Sequence, residues 1–295
     1  MKKKLIIGII VAVIVIVAGG VSWFVTHAGT SYAINISDGN DVLVSGSNIN
    51  ISKQDYFEVL MDQYGANEVL NEAIFAIADK ELEQSEIDKV VAELTETYTK
   101  YGGGDLEAYA KKLGYESKQD YIDEVIVTSA KQQCLREKYL KENLDQYIKD
   151  YQITSFKKII VDKESTALEL IKSIKNEDDF DAKMKEYSSQ AEDAGLVTKN
   201  TTTLDSNLKS ALEKLCMLEE DGVYGEAIKL SDETYAVVYV YHTDHQNTED
   251  IIDRLSSDND VQEEIEGIYL RKYQFDVYDK KLKEYVNQIS DQYFE

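Results

Sequence analysis

Residues 153–190 read ITSFKKIIVDKESTALELIKSIKNEDDFDAKMKEYSSQ. Positions 156–161 are a short apolar run with β-branched and aromatic residues, the composition of a strand. Leu168, Ile171 and Ile174 recur at helical spacing, as do Phe180, Met184 and Tyr187. TYAVVYVYH at 234–242 supplies a second strong strand. Strand, helix, helix and returning strand predict a small α/β unit over 151–247.

The chain on either side differs in kind. DVLVSGSNINI at 41–51 alternates apolar and polar residues around Ser45, Gly46 and Ser47, and reads as a hairpin. Ser52 then opens a helix, with Asp55 three residues on as a capping box. Tyr56, Leu60 and Tyr64 mark one face of it, and Gly65 is the expected stop. A second helix starts near Asn67 and carries Leu70, Ile74 and Ile77. The serine-x-x-acid start recurs at Ser85 with Asp88 and at Ser117 with Asp120. YGGGDLEAYAKKLGY at 101–115 is a glycine break followed by a short helix. Residues 29–150 are thus expected to be a helical lobe with a small hairpin.

From Thr248 the pattern is helical to the end. Val261, Ile268, Phe275, Leu282 and Ile289 repeat every seven residues, with Ile265, Tyr278 and Tyr285 beside them. One helix from about 261 to 290, roughly 45 Å long, would need a partner for that stripe. The helical lobe is the expected partner, so 248–295 should complete it. The fold class expected is α+β: a lobe built from both chain ends, with the 151–247 unit inserted.

Composition narrows the function. Of 295 residues, 32 are basic and 56 acidic. Setting aside Lys2, Lys3 and Lys4 leaves 29 basic against 56 acidic residues, a net charge of −27. Such a body is a poor partner for nucleic acid. No phosphate-binding glycine loop is present, so no nucleotide is expected. There is no proline, where average usage of about 5% would give roughly fifteen. Cys134 and Cys216 lie far apart without metal-ligand spacing and read as two buried thiols. His242 and His245 share a polar turn, and no metal or other cofactor is expected. Most of the 21 tyrosines, among them Tyr56, Tyr64 and Tyr98, fall on apolar helical faces and read as core.

Three lysines precede an uncharged run from Leu5 to Val25. Its 21 residues suffice to cross a hydrocarbon core of about 30 Å as a helix. The lysines hold the N-terminus inside, so the body is extracytoplasmic and single-pass. Residues 1–28 are expected to be an uncleaved anchor. A cleaved secretory signal is the alternative, and both place the body in the same compartment.

Anchor, hairpin, helical lobe, α/β unit and final helix, in that order, resemble the PrsA foldases of Gram-positive bacteria and, more loosely, the chaperone SurA. VLVSGSNINISKQDYFEVLMDQYG and LEAYAKKLGYESKQDYIDEV are similar to that family's helical lobe, and 153–246 to a parvulin domain. The resemblance implies a proline isomerase site with two histidines and an acid or thiol around the twisting carbonyl. The first histidine's position falls at Lys158, the acid or thiol at Gln190 and the second histidine at Ala236. The apolar residues of the proline pocket fall at Leu204 and Leu208.

Read without the resemblance, Lys158 is a surface lysine on an edge strand, and the two leucines are core or groove-lining. An ammonium group only donates hydrogen bonds and cannot replace an imidazole; alanine offers nothing. The resemblance therefore implies a membrane-anchored extracytoplasmic chaperone that binds unfolded secreted polypeptides through Leu204 and Leu208 without ATP, its isomerase site lost. The alternatives are an active isomerase with an altered site and an extracellular structural adaptor.

Overall fold

The computed structural model describes residues 32–294. The apolar run at 5–25 and its expected role as an anchor lie outside the described residues. Among the described residues, no helix is long and apolar enough to cross a membrane. Helices and two antiparallel sheets alternate along the chain, an α+β architecture. It divides into two compact units, residues 32–138 with 259–294 and residues 139–258.

In the first unit, β1 (Val42–Gly46) and β2 (Ile49–Ser52) form the hairpin. Its turn lies at Ser47 and Asn48, one to two residues later than the sequence suggests. Asn48 supplies the positive φ, 65°, that the tight turn requires. Ser52 caps α1 (Lys53–Leu60) in a full capping box with Asp55. Gly65 does not stop this helix. The chain runs on through one π-helical turn, Met61–Gly65, into α2 (Ala66–Glu81). A Cβ at Gly65 would lie 3.0 Å from Met61 Cε and 3.3 Å from Leu282 Cδ1. Close approach, not helix termination, is what this glycine serves.

Leu70, Ile74, Ile77 and Ala78 form the buried face of α2. α3 (Gln84–Tyr101) begins two residues before the expected start, capped by Glu83 and Glu86. α4 (Leu106–Lys112) and α5 (Lys118–Tyr121) start at Asp105 and Ser117, and α6 (Val127–Glu142) follows. Tyr98, Tyr109 and Tyr115 meet Tyr121 edge-on, with ring centroids 5.1–6.0 Å apart. Tyr98 is therefore core, as expected. Tyr56, Leu60 and Tyr64 are not: all three are exposed.

The single terminal helix is not formed. α12 (Asn259–Lys272) and α13 (Lys280–Ile289) are separate, and a 3-10 turn follows at Asp291–Tyr293. The break is a Schellman cap. Gln274 takes φ 56°, its N–H donates to Arg271 O, and the Phe275 N–H donates to Leu270 O at 2.9 Å. The seven-residue repeat crosses this break, so its members do not share a face. Val261 and Leu282 are buried, whereas Ile289 is exposed and Tyr278 is 93% exposed.

Asp279 opens α13 and is itself 8% exposed. It accepts from the Leu282 N–H at 2.9 Å and from the Ala33 N–H at 2.8 Å. Tyr32 beside it donates to Asp62 at 2.6 Å.

In the second unit the chain runs through α7 (Leu144–Asp150) into β3 (Thr154–Val161), then α8 (Glu164–Ser173) and α9 (Glu177–Glu186). β4 (Ala191–Val197), α10 (Ser206–Leu215), the two-residue strands β5 (Gly222–Val223) and β6 (Ile228–Lys229), and β7 (Tyr235–Tyr241) follow. α11 (Thr248–Ser256) also belongs to this unit, beyond the expected boundary at 247. The sheet order is β4-β3-β7-β5, with β6 also on β7. α8 buries Ala167 and Leu170 and leaves Leu168 exposed, a face turned by one residue from the expected one.

Asp279→Ala should destabilise the protein by about 1–2 kcal/mol, from a lost helix cap and a lost hydrogen bond to the Ala33 N–H. Urea unfolding of the two proteins measures this. A loss below about 0.5 kcal/mol would mean that Asp279 does not tie the N-terminal segment to α13.

Candidate functional site

Alternation along β3 splits its side chains between two faces of the sheet. Phe156, Lys158 and Ile160 point to one, with Ala236, Val238 and Val240 of β7. Leu208, Leu212 and Leu215 of α10 cover that face, with Val197, Ile228 and Leu230 around them. Lys157, Ile159 and Val161 point to the other, where α8 and α9 pack through Ala167, Leu170 and Phe180.

The positions that the resemblance marks converge on the first face. Lys158 is paired with Val238 on β7 and Glu192 on β4, and Ala236 with Ile160, so Lys158 and Ala236 are diagonal neighbours. Gln190 stands just before β4 and beside Ile160, whose N–H donates to Gln190 O at 2.8 Å. The Gln190 side chain is exposed. Leu204 is half-buried against the same core. Leu208 is wholly enclosed in it, so in this conformation it is core and offers no surface to a client.

Lys158 is not the edge-strand surface residue expected from sequence. β3 is paired on both sides, and the Lys158 side chain is 14% exposed. Its Nζ lies 3.0 Å from Glu192 Oε2. Ala236 is completely enclosed. The centre of the face is therefore one ion pair on an apolar floor. It presents an ammonium donor and a carboxylate acceptor, with no ring that both donates and accepts at neutral pH.

Sequence reasoning missed Glu192, and it missed the polar cluster on the opposite face. Lys157 donates to Glu177 at 2.7 Å and Asp181 at 2.6 Å, with its own side chain 12% exposed. Burial alone would lower its pKa. The carboxylates of Asp181 and Glu177 outweigh burial and hold it above the ordinary lysine value. Tyr241 donates to Asp193 at 2.8 Å. Burial, and then that carboxylate, push its phenol well above the usual range. Asp193 also accepts from the Gly195 N–H at 3.0 Å, where φ is 65°, and so secures the bulge in β4. The spacing of Glu177 and Asp181, four apart on α9, was the visible signal for a shared cation.

Cys134, in the first unit, is buried as expected, whereas Cys216, in the second, is only half-buried. His242 and His245 line a cavity of about 10 Å³ with Cys216, Thr154 and Asn247, room for about one water. Among the described residues no group of three or more His, Cys, Asp or Glu side chains is placed to hold a metal.

This chain is similar in structure to PrsA. It shares 16% identity with the peptidylprolyl isomerase PrsA of Bacillus cereus, covering 85% of this chain and 99% of that one, at a TM-score of 0.48. For PrsA of Bacillus subtilis the identity is 19%, the coverage 84% and 99%, and the TM-score 0.40. For the foldase protein PrsA of Streptococcus pneumoniae they are 18%, 86% and 100%, and 0.38. No family model and no curated protein matches the sequence.

The Lys157 and Tyr241 groups make stability fall at high pH. Both have folded pKa values raised above the ordinary 10.5 and 10.0. Their contribution is full below those unfolded values and is lost as pH rises through the folded ones. Lys157→Met should cost about 1–2 kcal/mol at pH 7, since its carboxylate partners are themselves half in water. The same substitution should flatten the fall in thermal midpoint above about pH 10. Midpoints for the two proteins that run parallel from pH 7 to 11 would show that Lys157 carries no such linkage.

Proposed function

We propose that this protein is a membrane-anchored extracytoplasmic chaperone that binds unfolded secreted polypeptides without nucleotide, and that its parvulin-like unit is a binding or spacing module rather than an isomerase. The observation that carries the second clause is the Lys158–Glu192 pair beside the enclosed Ala236. Rotation about a prolyl bond crosses a barrier of about 20 kcal/mol because amide resonance is broken midway. Lowering it by hydrogen bonding asks for groups that follow the changing basicity of the amide. A lysine already committed to a carboxylate is poorly suited to that.

Three features support the rest of the reading. The 21-residue apolar run behind three lysines is suited to anchoring the chain with its body outside. The unit of 139–258 interrupts a unit made of both chain ends, which supports a two-ended helical lobe with the parvulin-like unit inserted. Leu204, half-buried at the rim of the apolar face, is the client contact retained from the two leucines.

Two measurements test this. At one chain per client, the protein should lower light scattering from several unfolded secreted proteins without ATP; unchanged scattering for all of them would reject the chaperone. A proline-containing peptide should isomerise at its uncatalysed rate in its presence. A clear acceleration that Lys158→Met or Glu192→Gln abolishes would make the unit an enzyme with an altered site.

A further inference from the structure

The first unit exposes a strand that none of its own described residues covers. Val42, Leu43, Val44 and Ile49 are each 47–55% exposed. Leu43 is the extra residue of a bulge, between Val42 paired with Ser52 and Val44 paired with Ile51, and both it and Val44 are exposed. The hairpin contains no charged residue from Val42 to Ser52. Among the described residues no third strand pairs with it. An isolated two-stranded hairpin has little stability of its own, but this one is fixed at its base. The Lys53 N–H donates to Asp41 O at 2.9 Å, and the Gln54 N–H donates to Gly39 O at 2.9 Å. The strand is thus held extended with its outer edge free.

Exposed edges invite pairing, and proteins blunt them with charges, bulges or cover. The second unit does so. Its edge strand β4 carries Glu192 and Asp193, a bulge, and Gly195 in a left-handed conformation. β1 also has a register shift, between Val42 and Val44, but it bears no charge and carries three apolar residues in a row. Its surroundings are acidic: residues 32–65 hold five carboxylates and one lysine, and that lysine is tied to Asp38 and Asp41.

We infer that the outer edge of β1 captures an extended segment of an unfolded polypeptide as an added strand, and that it favours apolar segments bearing positive charge. This rests on the reading of the protein as a binder of unfolded chains, and supplies the place and the chemistry. Backbone pairing recognises any extended segment without regard to sequence, and side chains on alternate faces set the preference. The acidic surroundings select lysine-bearing segments. They repel anionic lipid headgroups, and they repel a second copy of a body carrying a net charge of −27.

The test is fluorescence anisotropy of a labelled seven-residue peptide alternating valine and lysine, with the full chain. Binding should weaken at least about tenfold when alternate peptide amides are N-methylated, which removes backbone donors and keeps every side chain. It should weaken similarly with glutamate in place of lysine, and with Leu43→Ser plus Val44→Ser in a protein whose circular dichroism is unchanged. Equal binding of the N-methylated peptide would overturn strand addition. So would displacement of the peptide by phosphatidylcholine vesicles, or a sedimenting dimer that the double substitution dissociates. If the double variant suppresses aggregation as well as the parent, clients bind elsewhere, and this inference falls while the chaperone stands. If the peptide binds as stated but the parent suppresses nothing, the edge stands and the chaperone falls.

Discussion

Two successive lysines occupy the middle of β3, and pleating sends them to opposite faces of a sheet that is packed on both. A buried ammonium group is tolerated only where a carboxylate meets it. Lys157 finds Glu177 and Asp181 on α9, and Lys158 finds Glu192 on β4. These pairs tie a helix and an edge strand to the centre of the sheet. A slip of β3 by one residue would put Lys158 where Ile159 stands, among Ala167, Phe180 and Val237. No carboxylate of the α9 pair would then reach it in the same geometry. The charges thus contribute register more than net stability, because desolvation offsets much of their attraction.

How far the sequence reveals this depends on the range of each interaction. The strands at 156–161 and 234–242 and the helix starts at Ser52 and Ser117 are local patterns, and all four were legible. The apolar floor around Leu208 was legible as hydrophobic but not as enclosed. The partner of Lys158 was not readable. It depends on an antiparallel register interrupted by a bulge at Asp193–Gly195, and nothing within β3 announces that register. Nor does β3 announce its place inside the sheet. Its two adjacent lysines resemble an edge, while the sheet order makes it central.

The first unit fails the local rules at its helix ends for two different reasons. Gly65 looks like a terminator, yet it keeps helical angles and makes room for Met61 and Leu282. The real break at Gln274 has neither glycine nor proline to mark it. A glutamine in the left-handed region costs of order 1–3 kcal/mol, and packing on either side must hold it there. The C-terminal turn shows such packing. Gly267 lets Gln292 O come within 3.1 Å of where a Cβ would be, Arg271 donates to that same carbonyl, and Phe294 stacks on Phe275 at 5.5 Å. A regular seven-residue repeat across 261–289 was therefore coincidence of composition, and tertiary contacts set the helix lengths.

The enclosure of Ala236 constrains the second unit more than the identity of any one side chain does. An imidazole could in principle be introduced by one substitution. Here the position is walled by Ile160 and Ile228, its register partners, within the cluster that holds Leu208 and Leu230. A histidine there would add a large ring to a close-packed interior, at a typical overpacking cost of about 1–3 kcal/mol. It would also bring a polar nitrogen with no partner on that floor, at about 1–3 kcal/mol more. At 158 the change would leave Glu192 without its cation. Each step toward an imidazole pair is thus destabilising before the second is made. The packing that gives this unit its stability thus also opposes an imidazole pair at positions 158 and 236.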